Sequence, residues 1–386
     1  MISVDHALEV IRSYRPARPT ETVPLNAARG RVAARDYTSP LDFPLFDNSA
    51  MDGYAVGGPE GPWEIVGEIA AGQSTKLTLG PCEAVRIFTG APVCARTFGV
   101  IPQEEATVQD GFLMGVVRRS AHVRFRAEEA ATGKIVVRAG QRLQPPHLAG
   151  LASCGFSAVE VEKVPVTTVL TTGNEVVSPG ETLSFGQIHN SNATAIQATL
   201  ADWGIAAQTQ HALDRLSDLQ ELVPRICETS DLLISTGGVS VGAHDYVRPA
   251  MEAARFEVMF HGVAVKPGKP MAFGVREDGK VWFGLPGNPF STWVGLLVFI
   301  AAWLGHDLKR EPITLAHGMG HKPGREEYVP AVRQADGQAK ALEVVGSHAN
   351  LAMIDAEGLL RIESSAEELQ PGQIVEFLQV PWSLDA

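Results

Sequence analysis

Three turns that combine glycine with polar or acidic residues could bind an anion. They occupy residues 171–175 (Thr-Thr-Gly-Asn-Glu), 235–242 (Ser-Thr-Gly-Gly-Val-Ser-Val-Gly) and 284–291 (Gly-Leu-Pro-Gly-Asn-Pro-Phe-Ser). Glycine allows backbone N–H groups to approach an oxyanion closely, and a helix that begins at such a turn adds a favourable dipole. One Gly-Gly turn alone is more often an ordinary turn. Three of them at one edge of a sheet favour a binding site.

A proline-flanked loop with two lysines lies between the second and third turns. Its sequence, at residues 266–270, is Lys-Pro-Gly-Lys-Pro. A lone lysine pair is usually solvated surface. Two lysines held by prolines form a positive pocket in an otherwise acidic chain, which favours an oxyanion or phosphate ligand.

Three acids, Glu175, Asp214 and Asp245, lie near the ends of predicted strands. Carboxylate oxygens are ligands that a hard cation such as Mg²⁺ prefers. Any one of these acids alone would be interpreted as solvated or as a helix cap. Together with the lysine loop, they predict a combined anion and cation site suited to phosphoryl or nucleotide chemistry.

An α/β domain must position these groups. A β-branched run at 166–170 stops at the first turn, and an apolar run at 232–235 stops at the second; helical patterns cover 193–203 and 216–228. Strands that alternate with helices predict a parallel sheet with right-handed crossovers, ending near Gly305. Because ligands bind beyond the carboxyl ends of parallel strands, the three turns are expected to meet there.

Shorter β-rich segments flank the predicted α/β domain. From Trp63 to about Val117, and again past Pro312, short apolar runs alternate with Gly, Pro and Asp. The fold class is therefore predicted to be α/β plus β in a multidomain chain. An opening helix is predicted from four apolar residues at helical spacing: Val4, Ala7, Leu8 and Ile11.

Composition excludes several classes of protein. The chain has 386 residues, with 32 Lys+Arg against 44 Asp+Glu, so its formal charge is −12. Such a surface repels nucleic acid and anionic lipid, and neither partner is expected. The most apolar stretch, at 293–305, is too short to span a bilayer and is predicted to be a buried helix. The N-terminal segment carries charged residues among its apolar ones and is not expected to be a signal peptide, and the predicted compartment is the cytoplasm.

The segment 47–55, Asp-Asn-Ser-Ala-Met-Asp-Gly-Tyr-Ala, is on physical grounds only a polar turn with two acids. It resembles, however, the hallmark of the molybdopterin molybdenumtransferases, the MoeA or gephyrin E-domain family. The resemblance covers essentially the whole chain. Five further motifs resemble that family in the same order: 89–92, 172–175, 237–246, 266–270 and 285–289.

The resemblance implies an elongated homodimer of four-domain subunits, in which the partner subunit completes the active-site cleft. The α/β domain would have the fold of a molybdopterin adenylyltransferase. The implied domains are an elongated domain I at 1–41 and 119–164, a β-rich domain II at 42–118, a molybdopterin-binding domain III at 165–308 and a C-terminal β domain IV at 309–386.

The resemblance also implies a reaction. The family transfers molybdenum from molybdate to the dithiolene sulfurs of adenylylated molybdopterin, with Mg²⁺, and releases AMP. A molybdopterin adenylyltransferase and the molybdoenzymes that accept the cofactor are implied as possible partners.

Residue roles follow only where this sequence matches the family's motifs. The catalytic set would be Asp52, Thr89, Glu175, Asp214, Asp245, Lys266 and Lys269, with Glu175, Asp214 and Asp245 also as metal ligands. Molybdate would be bound by Lys269, Pro270, Ser291, Arg325 and Ser347. The pterin nucleotide would be bound by Gly237, Gly238, Ser240, Pro286, Gly287, Asn288 and Pro289. Asp52 and Thr89 would reach the cleft of the opposite subunit, and Asp214 matches by spacing alone.

The chain departs from the family's pattern at a few positions. Ala127 replaces a common glycine, Ala243 replaces an acid, and Glu326 and Pro330 stand where arginine is frequent. These departures leave open a tungstate-preferring paralogue or a non-catalytic relative that binds the pterin nucleotide as a scaffold. Retention of the lysines, the acids and Arg325 favours the enzyme. Generic nucleotide hydrolysis is disfavoured because the chain has no Gly-x-x-x-x-Gly-Lys-Ser/Thr loop.

Overall fold

The computed structural model describes residues 1–15, 19–73, 76–239 and 245–383. The chain divides into two compact units, one formed by Thr20–Glu162 and the other by Met1–Pro19 with Lys163–Ala386. Two positions singled out above, Ser240 and Ala243, lie outside the described residues.

The predicted opening helix is confirmed as α1, Val4–Ser13. Ser3 caps it, because its hydroxyl accepts a hydrogen bond from the backbone N–H of His6 at 3.2 Å. The four apolar residues at helical spacing are all buried, as the amphipathic pattern requires.

The unit Thr20–Glu162 is built mainly from short strands. They are β1 (Thr20–Pro24), β2 (Tyr37–Thr38), β3 (Asn48–Ser49), β4 (Gly53–Val56), β5 (Trp63–Ile69), β6 (Glu83–Ile87), β7 (Gly99–Pro102), β8 (Thr107–Gln109), β9 (Phe112–Met114), β10 (Val123–Arg124), β11 (Ile135–Val137) and β12 (Ala158–Glu162), with helix α2 (Pro145–Ser153) before β12. One sheet has the order β7-β4-β6-β5-β9-β8, and β1 pairs with β12. The predicted β-rich module is confirmed within this sheet.

The α/β part of the other unit follows from residue 167. Its strands are β13 (Thr167–Thr172), β14 (Val176–Val177), β15 (Ile188–His189), β16 (Ala207–Ala212), β17 (Leu232–Thr236), β18 (Phe256–His261), β19 (Val265–Lys266), β20 (Ala272–Arg276) and β21 (Val281–Leu285). Its helices are α3 (Ser191–Asp202), α4 (Leu216–Thr229), α5 (Val247–Ala253), α6 (Pro289–Val294) and α7 (Ala301–Leu304). The sheet has the order β16-β13-β17-β21-β20-β18, and β16, β13, β17 and β21 run parallel.

Burial on both faces explains the continuous apolar runs in this sheet. Every residue of β13 and of β17 is buried. Val169 packs into the core that includes α1, whereas its neighbour Leu170 packs into the core with Leu219 and Val223 of α4. Successive side chains point to opposite faces, so parallel strands between helix layers need apolar residues at every position.

The apolar stretch after the third turn is a buried helix, as predicted. It runs from α6 through a π-helical segment, Gly295–Ile300, into α7. Gly305, with φ of 72°, ends it in the left-handed region that glycine tolerates. Within the described ranges, no helix is long and apolar enough to cross a membrane.

The C-terminal part is a β structure, as predicted. Its strands are β22 (Arg310–Thr314), β23 (Met319–Gly320), β24 (Glu326–Arg333), β25 (Ala339–Ala341), β26 (Gly358–Ile362), β27 (Glu368–Leu369) and β28 (Ile374–Gln379). The main sheet has the order β19-β24-β26-β28-β22, so a strand from the α/β part forms its edge. The division of the chain into four domains with the boundaries given above stays a prediction.

Candidate active site

The three glycine-containing turns meet at one edge of the parallel sheet. The Gly237 N–H donates a hydrogen bond to the carbonyl of Leu285 at 3.1 Å, which joins the second turn to the third. A Cβ added at Gly237 would lie 2.9 Å from Thr172 Oγ1, and one at Gly287 would lie 3.5 Å from the Gly237 Cα. The approach at Gly237, whose φ is 87°, requires glycine, whereas a Cβ at Gly287 would make only an ordinary van der Waals contact.

A cavity of about 660 Å³ opens at this edge. Its volume lies in the range of small-molecule sites. Nine of the ten residues predicted to bind the pterin nucleotide or the metal line it, the tenth being Ser240. They and their neighbours are Thr172, Gly173, Glu175, Asn190, Asn192, Asp214, Gly237, Gly238, Asp245, Pro286, Gly287, Asn288, Pro289 and His348. We call this the turn cavity.

Backbone contacts position two of the acids at the turn cavity. The Asp214 N–H donates to Asn174 Oδ1 at 3.3 Å, so Asp214 is attached to the turn that carries Glu175. The Glu175 carbonyl accepts from the Ile188 N–H at 2.8 Å. The Asp214 match rested on spacing alone, and the structure places this residue in the same cavity as Glu175.

The three acids fit Mg²⁺ by their chemistry but are not gathered into a ligand cluster. Across residues 1–15, 19–73, 76–239 and 245–383, no group of three or more His, Cys, Asp or Glu side chains is arranged to hold a metal ion. The predicted three-carboxylate set is therefore not preassembled in that part of the chain. Mg²⁺ commonly binds through one or two carboxylates plus substrate phosphates and water, a pattern that this cavity could provide.

A second cavity of about 590 Å³ lies beside the first. Pro270, Pro286 and Asn288 line both cavities. The second cavity brings together the lysine loop and every residue predicted to bind molybdate; these are Lys266, Lys269, Pro270, Ser291, Arg325 and Ser347. We call it the oxyanion cavity.

A hydrogen bond connects the residues assigned to the two ligands. Asn288 Nδ2, from the third turn, donates to Ser347 Oγ at 2.7 Å. The carbonyl of Ser347 accepts from the Phe290 N–H at 3.0 Å, so the loop at 347 is attached to the first turn of α6 by two bonds.

Charges in the oxyanion cavity are unevenly paired. Among the described residues, the side chains of Lys269 and Arg325 have no hydrogen-bond or ion-pair partner. Lys266 Nζ, in contrast, lies 2.8 Å from Glu327 Oε1. Two unpaired cations next to hydroxyl groups make this cavity suited to a dianion.

Glu326, one of the departures from the family's pattern, lies outside the residues that line the oxyanion cavity. Its carboxylate accepts two hydrogen bonds from Arg361, each 2.8 Å long, and a third from the Tyr328 hydroxyl. The hydrogen bonds with Glu326 raise the pKa of Arg361, and burial raises the pKa of Tyr328. Glu326 thus belongs to a buried polar network with Arg361 and Tyr328.

Asp52 and Thr89 contact each other within the unit Thr20–Glu162. The backbone N–H and the hydroxyl of Thr89 both donate to Asp52 Oδ1, at 2.7 and 2.8 Å. These bonds stabilise the carboxylate and hold the pKa of Asp52 below its usual value, the backbone bond contributing most. That Asp52 and Thr89 reach the cleft of the partner subunit stays a prediction.

Comparison with known proteins agrees with this architecture. Residues 2–155 match the "MoeA N-terminal region (domain I and II)", residues 168–306 the "Probable molybdopterin binding domain" and residues 312–380 the "MoeA C-terminal region (domain IV)". Molybdopterin molybdenumtransferase 2 of Mycobacterium tuberculosis is 34% identical over 95% of this chain and 96% of its own length. The chain belongs to the MoeA family.

Other members of the MoeA family are similar over most of their length. Molybdopterin molybdenumtransferase of Staphylococcus aureus is 32% identical over 79% of this chain and 75% of its own. A crystal structure of the molybdopterin biosynthesis MoeA protein from Pyrococcus horikoshii is 29% identical, with a TM-score of 0.80 over 98% of this chain and 99% of that one.

Several residues of the site were not identified from the sequence. Asn192 Nδ2 donates to the Gly287 carbonyl at 2.8 Å, and His348 lines the turn cavity. Asn190 caps α3 through its Oδ1 and donates from Nδ2 to Thr171 Oγ1. A capping asparagine before a helical pattern is a recognisable signal, whereas nothing in the sequence marks Asn192, His348 or Glu327.

Proposed function

We propose that this MoeA-family protein inserts molybdenum from molybdate into adenylylated molybdopterin and releases AMP. The observation that carries the proposal is the pair of adjoining cavities. One is lined by glycine-containing turns and carboxylates, and the other by cationic and hydroxyl side chains. Such a pair can hold a nucleotide and a tetrahedral dianion side by side, which this transfer requires.

Molybdate binding would depend on this chain's cations and hydroxyls. Lys269 and Arg325 supply two positive charges for a dianion, and the Ser291 and Ser347 hydroxyls can donate hydrogen bonds to its oxygens. Tungstate has the same charge and shape, so a tungstate-preferring protein is the closest alternative.

The pterin nucleotide would occupy the turn cavity. Backbone N–H groups at the glycine-containing turns can approach its phosphates, since no Cβ intervenes. Glu175, Asp214 and Asp245 would hold Mg²⁺ at the same cavity. When bound, Mg²⁺ neutralises charge on phosphate oxygens and so favours cleavage of the phosphoanhydride. The acids would hold the ion at this cavity, and the N–H groups of the turns would bind the phosphates.

The assembly and location of the protein belong to the same proposal. A homodimer would allow Asp52 and Thr89 of one subunit to complete the site of the other. The protein would act in the cytoplasm, between a molybdopterin adenylyltransferase and the molybdoenzymes that accept the cofactor.

The experiment is a measurement of AMP release from adenylylated molybdopterin with Mg²⁺, while molybdate and tungstate are titrated in parallel. AMP release that saturates with molybdate supports the proposal. A lower KM for tungstate would replace it with the tungstate alternative. Tight binding of the pterin nucleotide without AMP release would replace it with the scaffold alternative.

Two lysine variants make that experiment specific to the site. Lys269→Ala removes a cation from the oxyanion cavity and should raise the KM for molybdate more than the KM for the pterin nucleotide. The matched control is Lys309→Ala, which removes an exposed lysine that does not line either cavity.

A further inference from the structure

The ion pair between Lys266 and Glu327 is set by the register of two parallel strands. β19 runs beside β24, and the register places Lys266 opposite Glu327. Their side chains meet, with Nζ 2.8 Å from Oε1, and both residues line the oxyanion cavity. The pair therefore attaches the lysine loop to the C-terminal sheet at the cavity itself.

A buried histidine holds the other oxygen of the same carboxylate. His321 Nδ1 lies 2.8 Å from Glu327 Oε2, and the His321 side chain has no exposed surface. Its Nε2 is buried and has no hydrogen-bond partner among the residues that the structure describes. The tautomer with its proton on Nδ1 is favoured, because the other would leave an N–H group buried without an acceptor.

The arrangement fixes the carboxylate more firmly than the lysine. Glu327 is 13% exposed and receives a donor at each oxygen, whereas the Lys266 side chain is 48% exposed. A long lysine side chain loses conformational entropy when a ligand binds it. A fixed partner such as Glu327 restricts the side chain before the ligand binds, so less entropy is lost on binding.

Charge alone gives no reason for a carboxylate in this cavity. Glu327 is a negative group in a cavity that also contains Lys266, Lys269 and Arg325. Its charge should weaken the binding of any dianion there. A more favourable position of the Lys266 ammonium would offset this loss of dianion affinity.

We propose that Glu327 is a positioning residue that holds the Lys266 ammonium at the oxyanion cavity. His321 fixes the Glu327 carboxylate through a hydrogen bond to its other oxygen. The substrate class is a tetrahedral oxyanion. The proposal rests on the proposed function, because it concerns the same cavity.

A double-mutant cycle tests whether Glu327 acts through Lys266. The variants are Glu327→Ala, Lys266→Ala and the double variant, compared by the KM for molybdate, the KM for the pterin nucleotide and kcat for AMP release. The control is Glu221→Gln, which removes an exposed carboxylate of α4 that lines neither cavity. Glu327→Gln replaces Glu327→Ala if the latter fails to fold, since it replaces one of the two acceptor oxygens with an NH2 group that cannot accept a hydrogen bond.

Glu327→Ala should raise the KM for molybdate about tenfold when Lys266 is present. When Lys266 is already alanine, it should leave that KM unchanged or lower it, because only the unfavourable negative charge of Glu327 is then removed. The KM for the pterin nucleotide should stay unchanged. Equal effects in both backgrounds, no effect, or a lower KM for molybdate in Glu327→Ala would overturn the inference. A wild-type protein without molybdate-dependent AMP release would instead contradict the proposed function, so the two failures are distinguishable.

Discussion

Asn288 donates a hydrogen bond from Nδ2 to Ser347 Oγ over 2.7 Å, and this bond joins the two cavities. Asn288 lines both cavities, and Ser347 lines the oxyanion cavity. A change in one of these residues should therefore affect the ligand assigned to the other.

The first prediction concerns this bond. Asn288→Ala removes the donor and leaves the Ser347 hydroxyl without its fixed partner. We expect the KM values for molybdate and for the pterin nucleotide to rise together, each about fivefold, as loss of one hydrogen bond suggests. Steady-state AMP release measures both. The control is Asn350→Ala, which removes an amide that accepts a hydrogen bond from Trp293 Nε1 and lines neither cavity. A change in only one KM for Asn288→Ala would contradict the prediction.

The carboxylates of the turn cavity give the second prediction. Glu175→Gln and Asp245→Asn keep side-chain size but remove charge from proposed Mg²⁺ ligands. AMP release should fall at least about a hundredfold in each variant, because charge on the phosphates would no longer be neutralised. Circular dichroism should show an unchanged fold. The control is Glu181→Gln, which removes the charge of an exposed glutamate. Full activity of both site variants at saturating Mg²⁺ would show that Glu175 and Asp245 are not Mg²⁺ ligands.

The third prediction concerns the pKa of Asp52. Thr89→Val removes one of two donors to its carboxylate, so the pKa should rise toward its ordinary value while the backbone N–H still holds it below. Because the folded-state pKa lies below the unfolded one, the stability from these bonds is present above the unfolded pKa. It is lost as the pH falls through the folded value.

A ¹³C NMR titration of the Asp52 carboxyl measures this shift. Thr97→Val, whose hydroxyl donates to the Cys94 carbonyl instead of an acid, is the matched control. An Asp52 pKa that is the same in wild type and Thr89→Val would show that the hydroxyl bond has no effect on the carboxylate.

The fourth prediction concerns Ala127, where the family commonly has glycine. Its φ is 64°, in the left-handed region that an L side chain adopts at a cost. Ala127→Gly should therefore raise the free energy of unfolding by about 1 kcal/mol. Thermal unfolding measures the change. The control is Ala131→Gly, because Ala131 is not among the residues with positive φ. It should leave the free energy of unfolding unchanged or lower it. A stabilisation equal to that of Ala127→Gly would show that the positive φ of Ala127 is not the cause.

Local patterns in the sequence predicted the elements that carry the site. The runs predicted at 166–170 and 232–235 form β13 and β17, which are buried on both faces, and the turns after them meet at one edge. These features depend on short-range patterns of apolar residues and glycine, which are visible in the sequence.

Contacts between distant segments could not be predicted in the same way. The pairing of Lys266 with Glu327 depends on β19 joining the edge of the C-terminal sheet, and no local pattern specifies that neighbour. Adjacent residues of a strand face opposite sides, and the same register decides that Glu327 rather than Glu326 meets Lys266. Resemblance to the family named Lys266 and Arg325, but only the structure showed which cations are paired.

The most direct test of the central claim is the dependence of AMP release on molybdate, measured with Mg²⁺ and adenylylated molybdopterin for wild type, Lys269→Ala and Lys309→Ala. The account predicts saturable, molybdate-dependent AMP release in wild type and Lys309→Ala. In Lys269→Ala it predicts a KM for molybdate at least about tenfold higher. AMP release that does not respond to molybdate in wild type, or that responds identically in Lys269→Ala, would contradict it.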